Sequence, residues 1–74
     1  MNKMEEDTKY YQERLEFLAR EYLYGKISLS YIKENQGKIF RLMNNYLEVS
    51  KIPKTTDDLP LSFLVLKYAL DRIN

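Results

Sequence analysis

Three observations predict an all-α fold, a small three-helix bundle, for this 74-residue chain. Apolar residues recur at steps of three and four, not in the two-residue alternation of strands. Only two glycines and two prolines are present, and Gly25, Gly37, Pro53 and Pro60 divide the apolar runs into segments. Hydrophobic residues make up 45% of the composition, which separates the chain from disordered sequences. The length fits one domain, residues 1–74, with no repeat or low-complexity tract.

The first helix is expected over about residues 3–24. Met4, Thr8, Tyr11, Leu15, Leu18 and Tyr22 form one stripe, flanked by Tyr10, Phe17 and Tyr24 at sevenfold spacing. Glu5, Glu6 and Asp7 lie in the first turns, where carboxylates suit the positive end of the helix dipole. Gly25 stands where a left-handed C-terminal cap is expected.

The second helical segment opens at Ser28 or Ser30, either of which can cap it, and runs over about 29–51. Leu29, Ile32, Gln36, Ile39, Met43 and Tyr46 continue the stepping, widened by Phe40 and Leu47. Gln36 puts an amide on that stripe, and Gly37 costs a helix about 1 kcal/mol relative to alanine. One kinked helix and two helices meeting near Gln36-Gly37 are both allowed. The stripe keeps its phase across the interruption, which favours continuity.

Pro53 is expected to end that segment, followed by a polar loop, Lys54 to Asp58. Thr55-x-x-Asp58 resembles a capping box, and Pro60 is tolerated in a first helical turn. The last helix is expected over about 59–73 with two apolar stripes. One is Leu59, Phe63, Leu66, Leu70 and Ile73; the other is Leu61, Leu64, Val65, Tyr68 and Ala69. A bundle helix needs one such side, so the surplus is read as a protein–protein interface. The residues assigned to it are Phe63, Leu66, Leu70 and Ile73.

Several chemistries are excluded by composition. The chain has no cysteine and no histidine, hence no thiol nucleophile, imidazole base, or thiolate or imidazole metal site. Two isolated glycines build no phosphate loop. Asp57-Asp58 is explained by capping and lacks the alternation of a calcium loop. Glu13, Glu16, Glu21, Glu34 and Glu48 mostly fall on polar faces, with Glu16 and Arg20 placed as a surface ion pair. An enzyme is therefore not expected, nor a cofactor, a metal or a small-molecule substrate. No apolar run approaches the ~20 residues that span a bilayer, and the polar N-terminus lacks a signal-peptide core. A cytoplasmic protein is expected.

Size adds a demand. Chains of about 70–80 residues seldom obtain more than ~3–5 kcal/mol from one core, and the usual disulfide and metal braces lack their ligands here. Self-association is the expected supplement, giving a homodimer through the last helix. Seven tyrosines are unusual for this length. Tyr11, Tyr22, Tyr46 and Tyr68 fall on or beside core stripes, whereas Tyr10, Tyr24 and Tyr31 fall at stripe margins. These three are either amphipathic border residues or further interface residues.

The net charge of +1 conceals a gradient. Residues 26–54 carry 6 basic and 2 acidic side chains, a local net of +4. Lys33, Lys38, Arg41, Asn44, Asn45 and Lys51 share a polar side of the middle segment, a set suited to reading a nucleic-acid groove. Glu34 and Glu48 lie on that side too, as on an ordinary solvated helix back.

Two short stretches are similar to known families. Gly25-x-Ile27-Ser28 with Tyr31 and Ile32 resembles the turn of helical-hairpin oligomerisation modules. Ser30-Tyr31-Ile32-Lys33-Glu34-Asn35 resembles the Ser/Thr-x-x-x-Glu-Gly/Asn inhibitory motif of small helical antitoxins for Fic adenylyl transferases. That second resemblance implies that Glu34 pairs with an arginine of the toxin's nucleotide site and blocks ATP placement. Each covers eight residues or fewer, and the chain is assigned to neither family. The expectation from the residues themselves is a small interaction module, a regulator or inhibitor that occupies a partner's surface. The alternative is a dimeric DNA-binding regulator using the 33–51 face. Lysine-, asparagine-, isoleucine- and tyrosine-rich usage is associated with AT-rich genomes, including those of phages and plasmids.

Overall fold

Helix α1, Lys3–Leu23, ends because the chain turns left-handed at Gly25, where φ is 76°. The Lys26 N–H donates to the Glu21 carbonyl at 2.9 Å and the Gly25 N–H to the Tyr22 carbonyl at 3.1 Å. These two bonds make a Schellman cap and satisfy carbonyls that the helix end leaves open. The computed structural model describes residues 3–51 and 59–73, and within them it contains three further helices and no strand. They are α2 (Leu29–Glu34), α3 (Gln36–Ser50) and α4 (Leu61–Ile73). The expected Pro53 stop and the Thr55/Asp57/Asp58 capping lie outside the described residues.

Helix α2 starts at Ser28, whose Oγ accepts from the Tyr31 N–H at 3.2 Å. The continuous 29–51 helix is corrected to two helices, so four are present and not three. The break is at Asn35, with ψ at 15°, two residues ahead of Gly37. The Asn35 side-chain Nδ2 donates to the Tyr31 carbonyl at 2.9 Å, competing locally with the helical ladder. Its carbonyl accepts from the Ile39 N–H at 3.0 Å and opens α3. The break also serves packing. Helix α2 lies mainly on α4, whereas α3 lies mainly on α1, and one straight rod does not follow both directions.

Helix α3 ends with Lys51 in the left-handed region, φ 55°. Helices α1 and α3 run antiparallel: Thr8 near the start of α1 donates its hydroxyl to the Val49 carbonyl near the end of α3, at 3.4 Å. Helix α4 begins one residue after Pro60, whose carbonyl accepts from the Leu64 N–H. Proline therefore precedes the helix and occupies no position in its first turn, and the expected start near 59 moves to Leu61.

The core comprises Leu15 and Ala19 of α1, Ile32 of α2, Ile39, Met43 and Tyr46 of α3, and Phe63, Leu66, Ala69 and Leu70 of α4. Tyr11, Leu18, Tyr22, Ile27 and Leu29 pack partly buried around it. Rings of Tyr46 and Phe63 meet at a centroid distance of 6.3 Å, joining α3 to α4. Burial raises the Tyr46 phenol above its ordinary pKa, and the Glu16 carboxylate raises it further.

Two glycine substitutions should act in opposite directions. A Cβ at either Gly25 or Gly37 meets nothing within 4 Å, so backbone conformation alone decides. Gly25→Ala should cost about 1–2 kcal/mol, because an L-residue is strained at its positive φ. Gly37→Ala should gain roughly 0.5–1 kcal/mol, because Gly37 is ordinary helix. Urea unfolding followed by circular dichroism measures both, and equal effects would contradict this assignment. The raised Tyr46 phenol favours the neutral folded form, so its contribution is complete below the unfolded pKa near 10.0 and is lost as pH rises through the folded one. Stability should fall above about pH 10, and Tyr46→Phe should flatten that fall.

Candidate functional site

Helix α4 uses its two apolar stripes differently. Phe63, Leu66 and Leu70 face the core of their own chain, and Ile73 packs half-buried against it. Those four were the expected interface; the intramolecular core occupies the first three. The free apolar side is the second stripe apart from Ala69, which belongs to the core. Leu61 and Tyr68 are 74% and 75% exposed, Leu64 is exposed, and Val65 is half-buried. Their spacing of three, four and seven puts them along one side of the helix.

Helix α1 contributes the opposite wall. Its last turn brings Tyr22 and Leu23 beside α4 before the Gly25 cap diverts the chain. A groove of about 360 Å³ results, lined by Tyr22, Leu23, Leu61, Leu64, Val65, Tyr68 and Ala69, with Arg72 at its polar margin. A second hollow of about 300 Å³ shares Leu23, Leu61 and Val65 and adds Glu16, Arg20, Tyr24 and Ser62. The Ser62 Oγ is buried and makes no hydrogen bond among the described residues. Glu16 accepts from Gln12 Nε2 at 3.2 Å in place of the expected pairing with Arg20, whose guanidinium lies on the exposed side.

The resulting surface is apolar along its floor, with Arg20 and Arg72 among its charged margins. Its two exposed tyrosines, Tyr24 and Tyr68, offer large ring areas, the side-chain type that anchors protein interfaces. Exposure of such a contiguous set exceeds the scattered apolar residues of an ordinary surface.

The other expected site residues are dispersed. Tyr10 is exposed on α1, Tyr24 in the turn that follows it, and Tyr31 on α2. Lys38, Arg41 and Asn44 are exposed on α3, Asn45 is half-buried there, and Lys51 is the left-handed cap residue. Lys33 belongs to α2, on the other side of the Asn35 break, so no single helix presents the 33–51 face. Glu48 is exposed among these cations. Glu34, the residue singled out by the antitoxin resemblance, is exposed at the end of α2.

A third hollow, about 280 Å³, opens between α3 and α4. Phe40, Met43, Leu47, Leu59, Phe63 and Leu70 line it, and Asn44, Lys67 and Asp71 stand at its edge. Among the described residues there is no group of three or more acidic side chains placed to hold a metal. None of the described helices is long and apolar enough to cross a membrane.

The groove residues Leu61, Leu64 and Tyr68 were legible as a second stripe, but periodicity alone did not say which stripe faces inward. Leu23 carried no signal, because its role comes from where the glycine turn ends α1.

The two sides of α4 should respond differently to charge. Leu66→Asp buries an unpaired carboxylate and should abolish the cooperative thermal transition, since even Leu→Ala at such sites costs about 2–5 kcal/mol. Tyr68→Asp should leave helicity intact and shift stability by no more than about 0.5 kcal/mol. Circular dichroism melts of the two variants check this; equal damage would place both residues in the core. No family model, curated protein or solved structure matches this chain.

Proposed function

We propose that this protein is a small interaction module, a regulator or inhibitor that acts by occupying a partner protein's surface. The observation that carries the reading is the uncovered apolar groove formed by Leu23 of α1 and by Leu61, Leu64 and Tyr68 of α4. Its occupant is an amphipathic helix of the partner, laying an apolar stripe along the floor and an acidic residue near Arg72. Helix-in-groove recognition draws its affinity from two or three apolar anchors, and charged margins set direction and specificity. The mechanism is steric and makes or breaks no covalent bond.

The test is comparative capture from the native host with wild-type protein and with the Leu64→Asp/Tyr68→Asp double variant. Wild-type protein should retain a partner that the double variant loses, while both show the same helicity. The purified partner should then bind at least 100-fold more weakly to the variant, about 2.7 kcal/mol. Equal retention of every captured protein by the two would contradict the groove as the working surface.

A further inference from the structure

Helix α1 has an outer side that no other described helix covers. Tyr10 and Phe17 stand on it seven residues apart; Tyr24, seven further on, is the first residue after the helix and stands where this side meets the hollow against α4, and the three are 57%, 53% and 70% exposed. A repeat of seven holds to one side of a helix for its whole length, and such an apolar seam is what two helices use to pair. A lone helix against solvent has no use for three large rings in register.

The charges beside that seam are ordered about Phe17. Glu13 and Arg14 lie four and three residues before it, and Arg20 and Glu21 lie three and four after it. Glu13 and Arg20 flank the seam on one side; Arg14 and Glu21 flank it on the other. Glu13, Arg14 and Arg20 are exposed, and Glu21 is half-buried beside Lys26 at 4.0 Å.

We infer that α1 pairs with α1 of a second copy of this chain, antiparallel, about a two-fold axis at Phe17. In that arrangement Phe17 meets Phe17, and Tyr10 of each copy meets Tyr24 of the other. Glu13 of each copy lies beside Arg20 of the other, displaced along the axis by about 1.5 Å, the rise of one residue. Arg14 and Glu21 make the same match on the opposite flank. Each of these four charges thus meets its opposite under one symmetry operation, with Glu13 shared with Lys9 of its own chain at 4.0 Å, and this is the self-complementarity that a two-fold interface requires.

The ends of the helix select the direction. Glu6 is exposed and Asp7 half-buried in the second turn, and exposed Lys26 follows the Gly25 cap. Antiparallel pairing brings the acidic start of one α1 to the basic end of the other and opposes their dipoles, whereas parallel pairing stacks like on like.

The three half-exposed rings offer on the order of 300–450 Å² per copy, below the ~800 Å² of a standard interface. The dimer is therefore a weak and reversible one. The inference goes beyond the α4 groove and does not rest on it. The seam reaches the groove at Arg20 and Tyr24, so the paired helices carry one groove toward each end.

Sedimentation equilibrium from about 10 μM to 1 mM, the range of a small interface, tests this. The apparent mass should rise from 8.9 kDa toward twice that value. Phe17→Asp should remain at 8.9 kDa with unchanged helicity, since Phe17 is exposed. Glu13→Arg and Arg20→Glu should each weaken self-association at least tenfold, and an equimolar mixture of the two variants should associate again. The chain has no native cysteine, so single-cysteine variants report direction: Tyr10→Cys and Tyr24→Cys should cross-link when mixed and not alone. A monomer at every concentration would overturn the inference. So would a dimer that survives Phe17→Asp, a mixture that stays apart, or cross-linking of Tyr10→Cys to itself. Leu64→Asp/Tyr68→Asp should leave the dimer intact; dissociation by that variant would place self-association on α4 instead.

Discussion

The fold depends on the inner side of α4. Phe63, Leu66, Ala69 and Leu70 are all buried, and they meet side chains contributed by three other helices. A helix of six residues such as α2 does not persist alone in water, and its Ile32 is held because α4 gives it somewhere to be buried. The chain has no cysteine, so no disulfide shares this work. The same helix that closes the core also presents Leu61, Leu64 and Tyr68 outward, and one 13-residue segment thereby joins stability to recognition.

Much of this was legible in the sequence. The three-four stepping located α1 and the α3 core residues Ile39, Met43 and Tyr46. Gly25 announced the end of α1 because few residues other than glycine adopt its φ cheaply. The Asn35 break was not legible. Ile32 and Ile39 are seven apart on either side of it, so the apolar phase is the same with or without a bend, and Gly37 drew attention away from the residue that bends. Nor was the choice between the two α4 stripes legible. Both are apolar at helical spacing, and what decides between them is the placement of α1, α2 and α3, which no local pattern encodes.

The surface divides into three regions of different character. Between α1 and α4 lies an apolar groove with arginines among its margins; along α1 runs an aromatic seam bordered by alternating charges; on α3 stand Lys38 and Arg41 with Glu48 among them. On the proposed reading the first takes a partner helix and the second a copy of the same chain. Neither requires a titrating group near neutral pH or a metal, which suits a chain without histidine or cysteine. Cations on α3 are separated from Lys33 by the helix break, and this weakens a groove-reading helix as the organising feature.

Nitration of the tyrosines by tetranitromethane, followed residue by residue with mass spectrometry, tests most directly the claim that one side of α4 is the core and the other a free surface. Tyr46, packed against Phe63, and Tyr68, on the outer stripe, sit on the two sides of that division. In dilute native protein Tyr68 should react at the rate of a free tyrosine, and Tyr46 should react only as fast as the fold opens. Comparable rates at the two positions, or protection of Tyr68 with Tyr46 reactive, would contradict the account.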